Sequence, residues 1–96
     1  MATRELELSL RETRALKAAF VVAGTPEPRI DEVAIRPGRR RLVMESTSLS
    51  PICRSLIHVA REVPDEELRA RVGIARPELD ALYTRVVAHW AMVAGF

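Results

Sequence analysis

The chain contains no asparagine and no glutamine, and it has a single cysteine, Cys53, and a single lysine, Lys17. Asn and Gln read adenine through paired hydrogen bonds, so their absence closes one route of sequence-specific DNA recognition. One cysteine excludes an internal disulfide and a zinc site built from several cysteines. Only 4% of the residues are aromatic, so the core must be built mainly from Leu, Val, Ile and Ala.

What the chain does contain is typical of one small globular domain. It has 96 residues, of which 48% are hydrophobic, and a formal net charge of +2. A chain of this length predicts a single domain over residues 1–96. The first ten residues show no apolar run typical of a signal peptide. The uncharged segment 86–96 is too short to span a bilayer. We therefore expect a cytoplasmic protein that does not enter the membrane.

The N-terminal region predicts a strand followed by a helix. Residues 5–9, ELELS, alternate polar and apolar side chains, which is the period of a half-buried strand. Ser9 and Glu12 then have the spacing of a capping box, in which each side chain binds the backbone amide of the other residue. The helix should run from Leu10 to Ala23 and end at Gly24. A helix that begins already at Thr3 is the alternative.

A β-hairpin is predicted over residues 32–46. Two apolar runs, Val33 to Ile35 and Leu42 to Met44, flank the dipeptide Pro37-Gly38. Proline and glycine at the two central positions suit a type II turn, which needs a positive φ at the glycine. Four arginines surround this turn, and we expect all of them to point to solvent: Arg36, Arg39, Arg40 and Arg41.

Three further helices should fill the rest, each with a proline near its start. The first should run from about Pro51, with Ser50 as N-cap, to Glu62. The second and third should cover 64–72 and 77–94, the last closed by Gly95. The predicted fold is α+β and mostly helical, with a small antiparallel sheet from residues 5–9 and the hairpin.

The segment 68–82 resembles the helix-turn-helix motif of DNA-binding proteins. Apolar residues and a turn glycine stand where that motif places its packed residues and its turn: Leu68, Val72, Gly73, Ile74, Leu79 and Leu82. The resemblance implies that the second helix would lie in the major groove of DNA. Two packed helices joined at a glycine, with no DNA-binding role, are the alternative.

The hairpin tip, from Arg36 to Arg41, is the only basic concentration in the chain. The predicted nucleic-acid-binding residues are the four of the hairpin, with one at the start of the last helix: Arg36, Arg39, Arg40, Arg41 and Arg76. Guanidinium groups bind phosphates without regard to sequence. The alternative interpretation is an exposed turn whose arginines only keep it soluble and bind no partner.

The last helix carries an apolar stripe that predicts either the core or a homodimer interface. The stripe has helical spacing and contains Leu79, Leu82, Tyr83, Val86, Trp90 and Val93. Little other chain is left to cover this helix, and Trp is a common interface anchor, so we expect a homodimer.

No segment indicates an enzyme, a metal site or a cofactor. Cys53 and His58 lie five residues apart on one predicted helix and on different faces, so they cannot pair. Two function classes remain. The first is a small bacterial or phage regulator that binds nucleic acid. The second is a protein–protein adaptor or inhibitor, of a phage or immunity type, that acts through its apolar helical surface.

Overall fold

The computed structural model describes the backbone of residues 3–94 and the side chains of residues 3–89. In chain order the elements are β1 (Thr3–Ser9), α1 (Leu10–Ala23), β2 (Ile30–Arg36), β3 (Arg39–Glu45), a 3₁₀ turn (Ser46–Ser48), α2 (Leu49–Glu62), α3 (Asp65–Arg71) and α4 (Arg76–Ala94). Within this part of the chain the fold is α+β and mostly helical. The prediction of an N-terminal strand, a hairpin and four helices is confirmed.

The three strands form one antiparallel sheet in the order β1-β3-β2. Leu6 lies opposite Leu42, and Ile30 lies opposite Met44. Because strand side chains alternate between faces, the inward residues Leu6, Leu8, Leu42 and Met44 are buried under the helices. The alternation in β1 therefore marks a strand as predicted, and the alternative of a helix from Thr3 is wrong.

Helix α1 begins and ends where its capping residues predict. The Ser9 hydroxyl accepts a hydrogen bond from the Glu12 amide at 3.0 Å, and the Glu12 carboxylate accepts one from the Ser9 amide at 2.9 Å. Gly24 has a φ of 68°, and its amide donates to the carbonyls of Phe20 and Val21. Both ends of the helix thus satisfy backbone groups that would otherwise lack partners.

The hairpin turn lies at Pro37 and Gly38. Gly38 has a φ of 75°, in the region that the third position of a type II turn requires. The pairing of β2 with β3 shifts by one residue between Ala34 and Arg36, so Ile35 is an extra residue in β2, as in a β-bulge. The carbonyl of Gly38 accepts a hydrogen bond from the Leu10 amide at 2.8 Å, which holds the hairpin tip against the start of α1.

Helix α2 begins two residues earlier than predicted. It starts at Leu49 after the 3₁₀ turn, and its N-cap is Ser48 rather than Ser50. Its end at Glu62 agrees with the prediction. Pro51 falls at the third helical position. The amide that proline lacks would have no partner within the helix there, so this start is not disfavoured.

Helices α3 and α4 complete the core. Leu68, Val72 and Ile74 are buried together with the residues that α4 turns inward, and all of them belong to the same hydrophobic cluster as Phe20 and Leu56. Helix α4 runs to Ala94, and its predicted closing residue, Gly95, lies outside the described residues. Among residues 3–94, none of the helices has the combination of length and apolar character needed to cross a membrane.

Arg85 ties α4 to the junction of β1 and α1. One end of its guanidinium donates to the Glu12 carboxylate. The other end donates to the backbone carbonyl of Glu7 at 3.0 Å. A single side chain therefore joins the last helix to Glu12 in the first turn of α1 and to the backbone of β1.

The Glu12 contacts predict an acid-sensitive component of stability. Burial alone raises the pKa of Glu12, but hydrogen bonds from Ser9 and Arg85 outweigh it, so the pKa lies below the ordinary value of 4.5. A carboxyl whose pKa is lowered by folding stabilises the protein above its unfolded pKa, and this contribution is lost as the pH falls through the folded pKa. Glu12→Gln keeps a side chain that can complete the capping box but removes the charge. We expect Glu12→Gln to be less stable than the parent near neutral pH and to lose less stability below about pH 4.5.

The measurement is the urea midpoint of both proteins between neutral pH and about pH 3. Glu7 and Glu32 also have lowered pKa values, but they are present in both proteins, so the difference isolates Glu12. Glu27→Gln, in the exposed connector, is the control and should follow the parent curve. Parallel curves for Glu12→Gln and the parent would contradict this account.

Candidate nucleic-acid interface

Two of the predicted arginines flank the hairpin tip, and both bind one acidic residue of β1. Arg36 and Arg39 donate to the Glu7 carboxylate, at 3.1 Å and 3.4 Å. The hydrogen bond from Arg36 is the largest of the effects that lower the pKa of Glu7. The side chain of Arg36 is still 67% exposed, whereas that of Arg39 is 33% exposed. The tip therefore keeps outward-facing guanidinium groups, but one carboxylate offsets part of their charge.

The other two hairpin arginines lie along β3, on opposite faces of the sheet. Arg40 is on the inner side, where it pairs with Glu32 at 3.2 Å, and its side chain is only 26% exposed. Lys17 of α1 binds the same carboxylate at 2.7 Å and is the largest cause of its lowered pKa. Arg41 is exposed on the outer face, between Glu7 and Val33. The prediction that all four arginines point to solvent is therefore wrong for the half-buried Arg39 and Arg40.

The fifth predicted residue, Arg76, makes hydrogen bonds to the C-terminal end of α2 and to the first residue of α3. Its guanidinium donates to the carbonyls of Ala60 and Val63, at 2.8 Å and 3.0 Å, and to the Asp65 carboxylate at 2.7 Å. The two carbonyls belong to the last turn and C-cap of α2, where backbone acceptors have no partner within the helix. Because the guanidinium of Arg76 already donates to these three acceptors within the chain, it is poorly placed to bind a phosphate.

The residues that the helix-turn-helix resemblance assigns to packing lie in the common core, which the alternative of two packed helices also explains, so the resemblance stays a prediction. Leu68, Val72, Ile74, Leu79 and Leu82 are all buried. Gly73 has a φ of 90°, which a non-glycine residue rarely adopts, and its amide donates to the carbonyls of Leu68 and Arg69. The outer surface at the start of α4 presents Pro77, Asp80 and Ala81. That surface has an acid and no base, so it is poorly suited to reading DNA.

A depression that the sequence did not predict brings three segments together. Its open volume is about 710 Å³, and the segments are the start of α1, the hairpin tip and the α3–α4 turn. The lining residues are Ser9, Leu10, Arg11, Arg14, Gly38 and Gly73. Arg11 pairs with Glu78 of α4 at 3.0 Å. Arg14 is exposed, and no carboxylate among the described side chains lies within ion-pair distance of it. We call this region the basic depression.

Sequence analysis missed Arg11 and Arg14. The capping box placed both residues in the first turns of α1, which was the available signal. Nothing local indicated that Gly38 and Gly73 would lie beside them, because those contacts join residues far apart in the sequence.

The first part of the predicted interface stripe of α4 packs into the core of the monomer, and the last part lies outside the described side chains. Leu79, Leu82 and Val86 are at most 1% exposed in a single chain, and Tyr83 is half-buried against the same core. Three of the six residues therefore fill the monomer core, which was the alternative interpretation. The side chains of Trp90 and Val93 lie outside the described residues.

The described side chains include no group of three or more His, Cys, Asp or Glu residues placed to hold a metal ion. Cys53 is buried, and burial raises the pKa of its thiol, which disfavours the reactive thiolate. His58 is exposed on α2. Comparisons of the chain with protein-family models, curated proteins and solved structures find no match. The functional interpretation therefore rests on the geometry of the chain itself.

The contacts of Arg76 predict that it contributes to stability. Arg76→Ala should lower the free energy of unfolding by about 2 kcal/mol, because it leaves two partly buried carbonyls without their charged donor. The bond to Asp65 should add little, since that carboxylate side chain is 70% exposed. Arg71→Ala, an exposed arginine of α3, is the matched control and should change stability by no more than about 0.5 kcal/mol. Equal effects of the two substitutions in urea unfolding would contradict the capping role.

Proposed function

We propose that the protein is a small cytoplasmic regulator that binds nucleic acid through the phosphate backbone, at the basic depression and the adjoining hairpin tip. The observation that carries the proposal is the convergence of these elements on one side of the molecule. Arg11 and Arg14 lie beside Gly38, whose neighbours in the sequence are the tip arginines. Guanidinium groups and backbone amides are the usual phosphate contacts in protein–DNA complexes.

The charges around the depression support phosphate contact more than base contact. Arg11, Arg14, Arg36 and Arg39 contribute four positive charges, and their partners Glu7 and Glu78 contribute two negative ones. The arginines of this region therefore outnumber the carboxylates that bind them. The absence of Asn and Gln and the acidic start of α4 argue against base-specific readout. In this proposal the helix-turn-helix pair positions the depression, and α4 does not enter the groove as a recognition helix.

A second candidate function, a protein–protein adaptor or inhibitor, is favoured by a different surface. A shallow groove of about 270 Å³ lies between α2 and α4. Its apolar lining is formed by Leu56, Ile57, Ala60, Leu79 and Tyr83, and Arg61 and Asp80 stand at its rim. An apolar groove with few polar groups is suited to an apolar side chain of a partner. The two candidates use different residues, so substitutions can separate them.

The nucleic-acid proposal predicts binding that depends strongly on salt. Binding to a random-sequence duplex should be detectable at about 50 mM salt. The logarithm of the association constant should then fall linearly with the logarithm of the salt concentration. Arg14→Ser should lower the magnitude of the salt slope by about 1, because each phosphate contact contributes about that much. Arg11→Ser should do the same.

The matched control is Arg54→Ser. Arg54 is exposed on α2 and lies near Gly24, at the opposite end of α1 from the depression, so its loss should leave the slope unchanged. Absence of binding to duplex DNA and RNA at low salt would reject the regulator proposal. If Tyr83→Ser at the α2–α4 groove then impaired capture of a protein partner, the adaptor candidate would be supported.

A further inference from the structure

The two edges of the sheet differ in how they are covered. At the β1 edge, Arg85 donates to the Glu7 carbonyl, and α4 packs against the strand. At the β2 edge, no described residue outside the sheet makes a hydrogen bond to the backbone of 30–36. Asp31, Val33 and Ala34 of β2 are exposed, whereas the Glu32 side chain is held by Lys17 and Arg40. A seven-residue strand with a free edge can pair with another strand unless charge, proline or a covering element prevents it.

One of the large apolar residues exposed by the monomer lies on this free edge. Among the described side chains, the large hydrophobic residues with high exposure are Val33, at 47%, and Val21, at 82%. Val33 is in the middle of β2. Val21 is one helical turn from Lys17, which reaches β2 through its ion pair with Glu32. A contact along the β2 edge would therefore cover the exposed apolar surface of Val33.

The charges of β2 are complementary to a second copy of the same strand. In an antiparallel self-pairing centred on Val33, the two copies of Val33 lie opposite each other. Asp31 of one copy then lies opposite the bulged pair Ile35 and Arg36 of the other. Asp31, Val33 and Arg36 are on the outer face of the sheet, because their partners on β3 are Val43, Arg41 and Arg39, which alternate with the buried Leu42. The arrangement therefore forms two symmetric Asp31–Arg36 pairs around a central valine contact.

We infer that the protein is a two-fold homodimer in which β2 pairs with β2 of a second copy and the two sheets form one six-stranded sheet. An isologous contact of this kind needs only one self-complementary patch. Arg36 can take part because its side chain is 67% exposed, and a guanidinium has more donors than the one that Glu7 uses. This contact differs from the interface predicted on α4, most of whose described stripe fills the monomer core.

The dimer also sets the distance between the two basic depressions. Arg36, where β2 ends, is three residues beyond Val33, which corresponds to about 10 Å of strand, and the turn at Pro37 and Gly38 lies just beyond it. The hairpin tips point in opposite directions from the two-fold axis, so they lie more than about 20 Å apart, a distance that one turn of B-DNA can span. This consequence rests on the proposed function, whereas the dimer itself does not.

The first test is sedimentation equilibrium of the full chain from low micromolar to near-millimolar concentration. The parent protein should reach twice the mass of one chain. Val33→Lys places two lysines opposite each other at the two-fold axis, and like charges in that position repel, so the mass should fall twofold while the far-UV circular dichroism stays unchanged. Ala81→Lys adds the same charge at an exposed position of α4, and it should remain dimeric.

Exchange of the two charged residues provides a second test. Asp31→Arg and Arg36→Asp should each weaken the dimer at least tenfold, since each places like charges opposite one another across the interface. The double variant should recover most of the parent affinity, because it restores opposite charges. A role of either residue within one chain would not produce this recovery. Failure of the double variant to recover, while both single variants dissociate, would overturn the assigned register.

A parent protein with the mass of one chain at every concentration would overturn the dimer. A dimer that withstands Val33→Lys but dissociates in folded Trp90→Ala would also overturn it and would place the contact at the end of α4. Binding to duplexes of one and two turns separates this inference from the proposed function. A β2 dimer without DNA affinity would leave the inference intact and reject the regulator. A monomer with salt-dependent DNA affinity would reject the dimer and support the proposed regulator.

Discussion

The junction between β1 and α1 is the point on which the other elements of this fold depend. Within a few residues the chain changes from a strand period to a helix period, and the Ser9–Glu12 capping box fixes that change. The hairpin tip and helix α4 both make hydrogen bonds to this segment. The Leu10 amide binds the hairpin tip at Gly38, and Glu12 binds Arg85 of α4. The sheet, the first helix and the last helix are therefore held in one arrangement by polar contacts above a shared apolar core.

That junction also explains where the basic depression forms. Because the Gly38 carbonyl is bound at the start of α1, the arginines of the hairpin tip and those of the first turns of α1 must lie on the same side. Glu7 and Glu78 hold Arg36 and Arg11 in place and also reduce the net charge. The result is a region in which arginines outnumber their carboxylate partners, and we propose that it contacts the phosphate backbone of a nucleic acid.

Local patterns were enough to predict the secondary structure, because the deciding interactions are local. The capping residues of α1, the Pro37-Gly38 turn and the alternation of β1 act over a few residues. The start of α2 was misplaced because Pro51 was assigned to the first helical position, whereas a proline is also tolerated later in the first turn. The site was harder to predict. The pairing of Arg40 with Glu32 and the use of Arg76 by α2 join distant segments. The sequence of an arginine-rich segment does not show which arginines will form ion pairs or hydrogen bonds within the folded chain.

The most direct measurement of the central claim is a map of backbone amide shifts by nuclear magnetic resonance while a short random-sequence duplex is added at low salt. The account predicts that the perturbed amides cluster at the start of α1, at the hairpin tip around Gly38 and at the α3–α4 turn around Gly73. The amides of the α2–α4 groove should stay unchanged. Perturbation centred on the outer face of α4, or no perturbation at all, would contradict the account.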